Sequence, residues 1–320
     1  MLSDFRSHCL VAAFIGDIPS FALADGTVRR VGAGVDCVRV HAASSLAATR
    51  VPGEDALLTS GEDGRVCRTD PSGEAREIGC VPRKWITAVG ESRGRLAFAA
   101  GKTVWLQSPK GAREIAHRRN VKGLAFTRDG ARLAVAQQDS VAVHDTAAGG
   151  APLELEWNDI HLASTFSPDG RFLLVASQNS FLHGWRLSDR KHFRMLGYQG
   201  RVEGWAWTAD GAFLATAGAA AAIVWPFDGD DGPMLRDAVE VAPRAEVVVT
   251  AVAWRADTTT LAIGYGDGAV QIASTAAPLS ARLLRDGGRA PITSVAWNAS
   301  GDTIAFGSAA GECGTIGALA

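Results

Sequence analysis

Histidine and cysteine recur at equivalent places along this chain. His8-Cys9, His41, His117 and His161 all stand at or just before short alternating apolar runs. Imidazole and thiolate are the usual ligands of zinc, which needs them at about 2.0–2.3 Å. His8, Cys9 and His41 come from neighbouring segments and form the candidate metal set. The plainer reading gives these histidines hydrogen-bonded structural roles. A second constellation is basic. Arg83, Lys84 and Trp85 lead into one apolar run, and Arg118, Arg119 and Lys122 lead into the next. Arg201 and Glu203, with Tyr198, extend a polar rim before a later run. Guanidinium groups pair with carboxylate or phosphate in a planar, two-pronged way, and an exposed indole anchors interfaces. The competing reading has the cations merely solvating loops, with Trp85 in the core.

Other chemistry is poorly represented. The chain holds no GxxxxGK[ST], no GxSxG, no HExxH, and no GxGxxG between a strand and a helix. Asp228–Gly232, DGDDG, looks like the start of a calcium loop but lacks the distal Glu, so a solvated turn is expected. The basic run 189–194 falls toward an outer strand, where charge discourages edge pairing.

The elements that must position these groups are repeats. An aromatic residue closes an alternating run at Phe126, Phe166, Trp207, Trp254 and Trp297, at steps of 40, 41, 47 and 43 residues. Each is followed by a turn such as Arg128-Asp129-Gly130 or Pro168-Asp169-Gly170, then by a strand rich in Leu, Ala and Val. A period in the low forties marks four-stranded blades of a β-propeller. The same register finds three earlier repeats. Their runs are Cys9–Phe14, Phe21–Asp25 and Thr27–Val31; Ser45–Arg50, Leu57–Ser60 and Arg65–Asp70; and Trp85–Gly90, Leu96–Ala99 and Thr103–Gln107. The expected fold is therefore all-β, one propeller domain over residues 1–320 with four-stranded antiparallel blades. Eight blades are expected, with seven as the alternative count. The last repeat lacks a fourth strand, and Ser3–Ser7 is the candidate to supply it.

Composition narrows the class. A chain of 320 residues at net charge −2 has no global attraction to nucleic acid or an anionic membrane. Five cysteines without a CxxC pair read as free thiols of a reducing compartment. The apolar run Cys9–Ile15 is too short for a signal peptide or a membrane span, so a cytoplasmic location is expected.

These repeats resemble the WD40 family over nearly the whole chain, with the size and divergence of its single-domain bacterial members. His117 stands nine residues before Phe126, at the family's His position, with Asp139 in the turn and His144-Asp145 for Trp-Asp. His41, Asp63 and Thr69-Asp70 match in the second repeat. Asn179 with Trp185-Arg186, Trp225-Pro226, and Asp267 match in later ones. The family's His–Asp–Ser–Trp network is complete in no repeat. The resemblance implies a non-catalytic scaffold that binds a partner protein, peptide or phosphorylated segment on its strand-entry loops, as a monomer with no cofactor, and the basic loops point to an acidic one. The partner-binding candidates are Arg83, Lys84, Trp85, Arg118, Arg119, Lys122, Arg201 and Glu203. The alternative is a metal-handling protein using His8, Cys9 and His41. A hydrolase or lyase at the channel mouth is the third reading.

Overall fold

The computed structural model describes every residue except Met1, Ala33, Asp257, Thr258, Leu319 and Ala320. Among the described residues all thirty regular elements are strands. Residues 1–38 with 197–320 form one compact unit, and residues 39–196 form another. The first unit begins with β1 (Leu2–Asp4), then a sheet of β2 (Cys9–Ile15), β3 (Ile18–Leu23), β4 (Thr27–Val31) and β5 (Val35–Arg39). The second unit holds β6 (Ser45–Arg50), β7 (Leu57–Gly61), β8 (Arg65–Thr69) and β9 (Ala75–Cys80) in one sheet. The next sheet is β10 (Ala88–Ser92), β11 (Arg95–Ala100), β12 (Thr103–Ser108) and β13 (Gly111–Ala116). A six-stranded sheet follows: β14 (Val121–Phe126), β15 (Arg132–Asp145), β16 (Leu153–Phe166), β17 (Phe172–Ser177), β18 (Leu182–Arg186) and β19 (Lys191–Met195).

The chain then completes the first unit. One sheet is β20 (Trp205–Trp207), β21 (Phe213–Thr216), β22 (Ala222–Pro226) and β23 (Val239–Val241). Another is β24 (Val249–Trp254), β25 (Thr260–Tyr265), β26 (Val270–Ser274) and β27 (Ala277–Arg285). The last is β28 (Ile292–Trp297), β29 (Thr303–Ser308) and β30 (Glu312–Gly317), with β1 beside β30. Leu2, Ser3 and Asp4 lie opposite Gly314, Cys313 and Glu312. The pairing segment is thus shorter and earlier than Ser3–Ser7, because the chain turns at Arg6 (φ 55°).

The expectation of eight separate blades is corrected: among the described residues the strands form seven antiparallel sheets, six of four strands and one of six. The cause lies at β15 and β16. β15 doubles back at Asp139 (φ 74°), with Thr146 N–H donating to the Ala131 carbonyl at 2.9 Å. β16 runs unbroken from Leu153 to Phe166, pairing with β15 through its first part and with β17 through its second. The sequence repeats at 121–145 and 160–185 therefore share one sheet.

The recurring turns form for a local reason. Thr127 and Ser167 each donate to the carboxylate two residues on, Asp129 and Asp169, at 2.6 Å. That carboxylate accepts the N–H of Ala131 or Arg171, and Gly130 and Gly170 take positive φ. Thr208, Asp210 and Gly211 repeat the device. After the first of these turns the apolar run of β15 buries completely: Leu133, Ala134, Val135 and Ala136 are all at 0% exposure. Small residues also let non-adjacent strands β14 and β16 approach closely. An ideal Cβ on Gly123 would lie 2.9 Å from the Ala163 Cα of β16.

Candidate functional site

Of the candidate metal residues, His8 and Cys9 belong to the first unit and His41 to the second. His8 is exposed while Cys9 is fully buried, as neighbours pointing opposite ways must be. The Cys9 thiol is pushed well above its ordinary range by its contact with Cys313 and by burial. His41 has both ring nitrogens engaged: Nδ1 with Asp63 Oδ1 and Nε2 with Thr59 Oγ1, each at 3.0 Å. Asp63 also accepts the N–H groups of Ala42 and Arg65. Burial lowers the His41 pKa against the pull of Asp63. His41, Asp63 and Thr59 are thus linked as one hydrogen-bonded set. Among the described residues no three His, Cys, Asp or Glu side chains gather in metal-binding geometry.

A related network centres on Tyr198. Tyr198 occupies the position nine residues before Trp207, the offset His117 has from Phe126. Its hydroxyl lies 2.8 Å from Thr216 Oγ1 and accepts from Trp225 Nε1 at 2.8 Å. Tyr198 is therefore an internal strut rather than part of a rim, and burial pushes its pKa up to about 12. Trp157 holds the same offset before Phe166 and stacks on His183 at 4.0 Å. The offset was the available signal; the change of residue type concealed it.

The basic loops of the second unit surround strand β13. Trp85 lies outside the strand it was expected to begin, since β10 starts at Ala88. It is 63% exposed, whereas the next residue, Ile86, is fully buried and donates its N–H to the Gly61 carbonyl. Lys84 and Trp85 line a cleft of about 480 Å³ with Lys102, Trp105 and Glu114. On the other side of β13 lies a cleft of about 1000 Å³, lined by Arg113, His117, Arg118, Arg119, Glu154 and Trp157 among others. Alternation along β13 divides its side chains: Glu114 serves the smaller cleft, Arg113 and Ile115 the larger. The loops are joined by backbone bonds, His117 N–H to the Lys102 carbonyl and Val121 N–H to the Gly101 carbonyl, both 2.8 Å.

Charge in this region is only partly compensated. Arg119 reaches Asp139 at 3.6 Å. Burial raises the Glu154 carboxyl pKa, opposed by the Arg118 charge. Arg113 is spent on the carbonyls of Asp145 and Ala148. Arg83, Lys84, Lys102 and Lys122 are exposed and enter no ion pair among the described residues. Arg83 and Lys122 line neither cleft. Lys102 went unnoticed in the sequence because it sits alone in a tight turn. Arg201 and Glu203, in the other unit, line a separate cleft of about 290 Å³ with Val249 and Thr250.

His144 forms the floor of the larger cleft, edge-on to His117 with ring centroids 5.2 Å apart. Its pKa is lowered to about 4 by burial first, then by His117 and Arg113. Asp228 of the DGDDG segment pairs with Arg236.

The cysteines divide cleanly, Cys37 and Cys80 exposed and Cys9, Cys67 and Cys313 buried. Burial pushes Cys67 up to about 11. A bulky disulfide reagent should thus modify two thiols of the native protein rapidly and the other three only after denaturation. Rapid reaction of three or more would contradict the packing.

No family model matches the chain, and no curated protein does. Solved structures do. A computationally designed protein, Ika8, is similar at TM-score 0.76 and 17% identity, over 98% of each chain. A chain in the mitotic checkpoint complex is similar at TM-score 0.64 and 15% identity, over 83% of this chain and 84% of that one. At such identities the likeness concerns the fold, an all-β propeller. No helix among the described residues is long and apolar enough to cross a membrane.

Proposed function

We propose that this chain is a non-catalytic interaction module, a divergent bacterial WD40-type propeller that holds an acidic protein or peptide segment against the loops around β13. The carrying observation is the set of exposed cations that enter no ion pair among the described residues, Arg83, Lys84, Lys102 and Lys122, of which Lys84 and Lys102 line one cleft with an indole at 63% exposure. A rigid sheet scaffold holds such loops in place, so binding orders little chain and loses little entropy. The linked His41, Asp63 and Thr59 side chains support the WD40 assignment. At net charge −2 the pull is local, which favours a short acidic segment over nucleic acid or membrane. The protein acts as a cytoplasmic monomer in this reading, with no cofactor.

A fluorescein-labelled glutamate-rich peptide tests the proposal by anisotropy. Wild type should bind it, more weakly as salt rises. Lys84→Glu, Arg118→Glu and Lys122→Glu combined should weaken binding by roughly 100-fold, since each reversal replaces attraction with repulsion. The melting temperature should hold, because all three side chains are exposed. Unchanged affinity in the triple variant would overturn the assignment.

A further inference from the structure

We infer that the cleft beside Trp85 and Trp105 receives one apolar or aromatic side chain from a peptide whose flanking residues are acidic, an inference that rests on the acidic-partner reading above. Trp85 is the most exposed of the aromatic side chains that stand out at the surface, yet its loop is well anchored. Ile86 behind it is fully buried, and the N–H groups of Ile86 and Thr87 donate to the Gly61 and Ala99 carbonyls at 3.2 and 3.0 Å. The indole is therefore presented on a rigid base, as a binding anchor needs to be. Trp105 lies across the cleft lining. Phe98 stacks on it at 5.8 Å with ring planes 13° apart, which covers one indole face and leaves the ring fixed. Two indoles, one on an anchored loop and one stacked on Phe98, line a depression of about 480 Å³ and make a slot for a side chain that gains from leaving water.

The charges around the slot select what flanks that side chain. Lys84 and Lys102 line it against one carboxylate, Glu114, which lies opposite Trp105 in the β12–β13 register. Arg83 is adjacent in sequence and exposed. A cationic group seeking the indole faces would meet this excess of positive charge. Acidic residues on either side of an apolar one would instead meet a lysine each. Acidic flanks with an apolar anchor would therefore bind tighter than acidic residues alone.

Three labelled pentapeptides separate these contributions: Glu-Glu-Phe-Glu-Glu, Glu-Glu-Ser-Glu-Glu and Lys-Lys-Phe-Lys-Lys. The first should bind the full chain roughly tenfold or more tighter than the second, and the third should not bind. Trp85→Ala should bring the first peptide down to the level of the second and leave the second unchanged, while Trp85→Phe restores most of the difference. Equal affinity for the Phe and Ser peptides would overturn the slot and leave the acidic docking surface standing. Failure of both acidic peptides would overturn both. Tighter binding of the lysine peptide would reverse the charge assignment, and a preference for single-stranded oligonucleotide over all three would replace the peptide by a nucleic acid.

Discussion

Acidification from pH 7 to pH 5 is expected to remove several kcal/mol of stability, before most carboxylates are protonated. The source is a set of buried neutral imidazoles. His183 is fully buried, with Trp157 stacked at 4.0 Å and Trp185 edge-on at 4.4 Å, and neither ring nitrogen has a hydrogen-bond partner. Its pKa falls to about 3 through burial first, then through His192, His161 and Arg194. His144 falls to about 4, and His41, His117 and His161 are lowered in the same direction, burial being the first cause in each. In the unfolded chain a histidine titrates near 6.5. Below that pH the unfolded state takes up protons that the folded state refuses, so stability present above pH 6.5 is lost as pH falls. The slope is roughly 1.4 kcal/mol per pH unit for each such histidine. His144 contributes down to about pH 4 and His183 to about pH 3. Glu91 and Glu154, raised by burial, act the other way and offset part of the loss.

Urea unfolding at pH 8, 6.5, 5.5 and 4.5 measures this directly. The profile should be flat between pH 8 and 7 and fall steadily below 6.5. His183→Phe keeps the ring, removes both unpartnered nitrogens and should make the fall shallower. A profile level down to pH 5 would mean that these imidazoles reach water.

The second large effect is expected at Gly311, in the turn between β29 and β30. Its φ of 88° favours glycine, and an ideal Cβ there would lie 2.5 Å from Ser7 N and 2.6 Å from Arg6 N. Both are backbone atoms, which cannot swing aside as a side chain does. Gly311 also accepts the Phe5 N–H at 2.9 Å. Gly311→Ala should therefore strain the turn and push residues 5–7 off the sheet, taking β1 with them. The loss is expected to be about 3 kcal/mol or more, beyond the 1–2 kcal/mol of the left-handed backbone alone. Gly16 is the control: its φ is 59°, but a Cβ would meet nothing within 4 Å. Gly16→Ala should cost only the backbone part. Limited proteolysis should clip the N-terminus of Gly311→Ala first, with Asp4 then released from its 2.7 Å ion pair with Arg289. Equal costs at the two glycines would show that the terminal strand is not held through this contact.

Much of the strand plan was legible in the chain because it rests on local causes. Alternation, the Thr/Ser-x-Asp-Gly turns and the small second strands act over a few residues, and β6, Ser45–Arg50, falls where its alternation puts it. The sheet count was not legible. Repeats at 121–145 and 160–185 look separate, but no turn residue interrupts Leu153–Phe166 strongly enough to end the strand. The candidate site was partly legible. Arg83, Lys84, Arg118, Arg119 and Lys122 were found from charge at loop positions, but charge alone does not say which cation is already paired. Arg119 has Asp139; Lys84 has no such partner among the described residues.

What the sequence by itself determined is therefore the repeat, its turns, and the concentration of cations before two of its inner strands. Each follows from side-chain volume, backbone freedom or charge within a few neighbouring residues. Only the tertiary structure decided the rest: that Trp85 stands in water while Ile86 is buried, that Lys102 faces the same cleft, that Tyr198 takes the place of a histidine, and that β16 belongs to two repeats. These depend on which residues distant in the chain fill the space beside each group. A side chain's own type does not encode whether that space holds water, another ring or a partner charge.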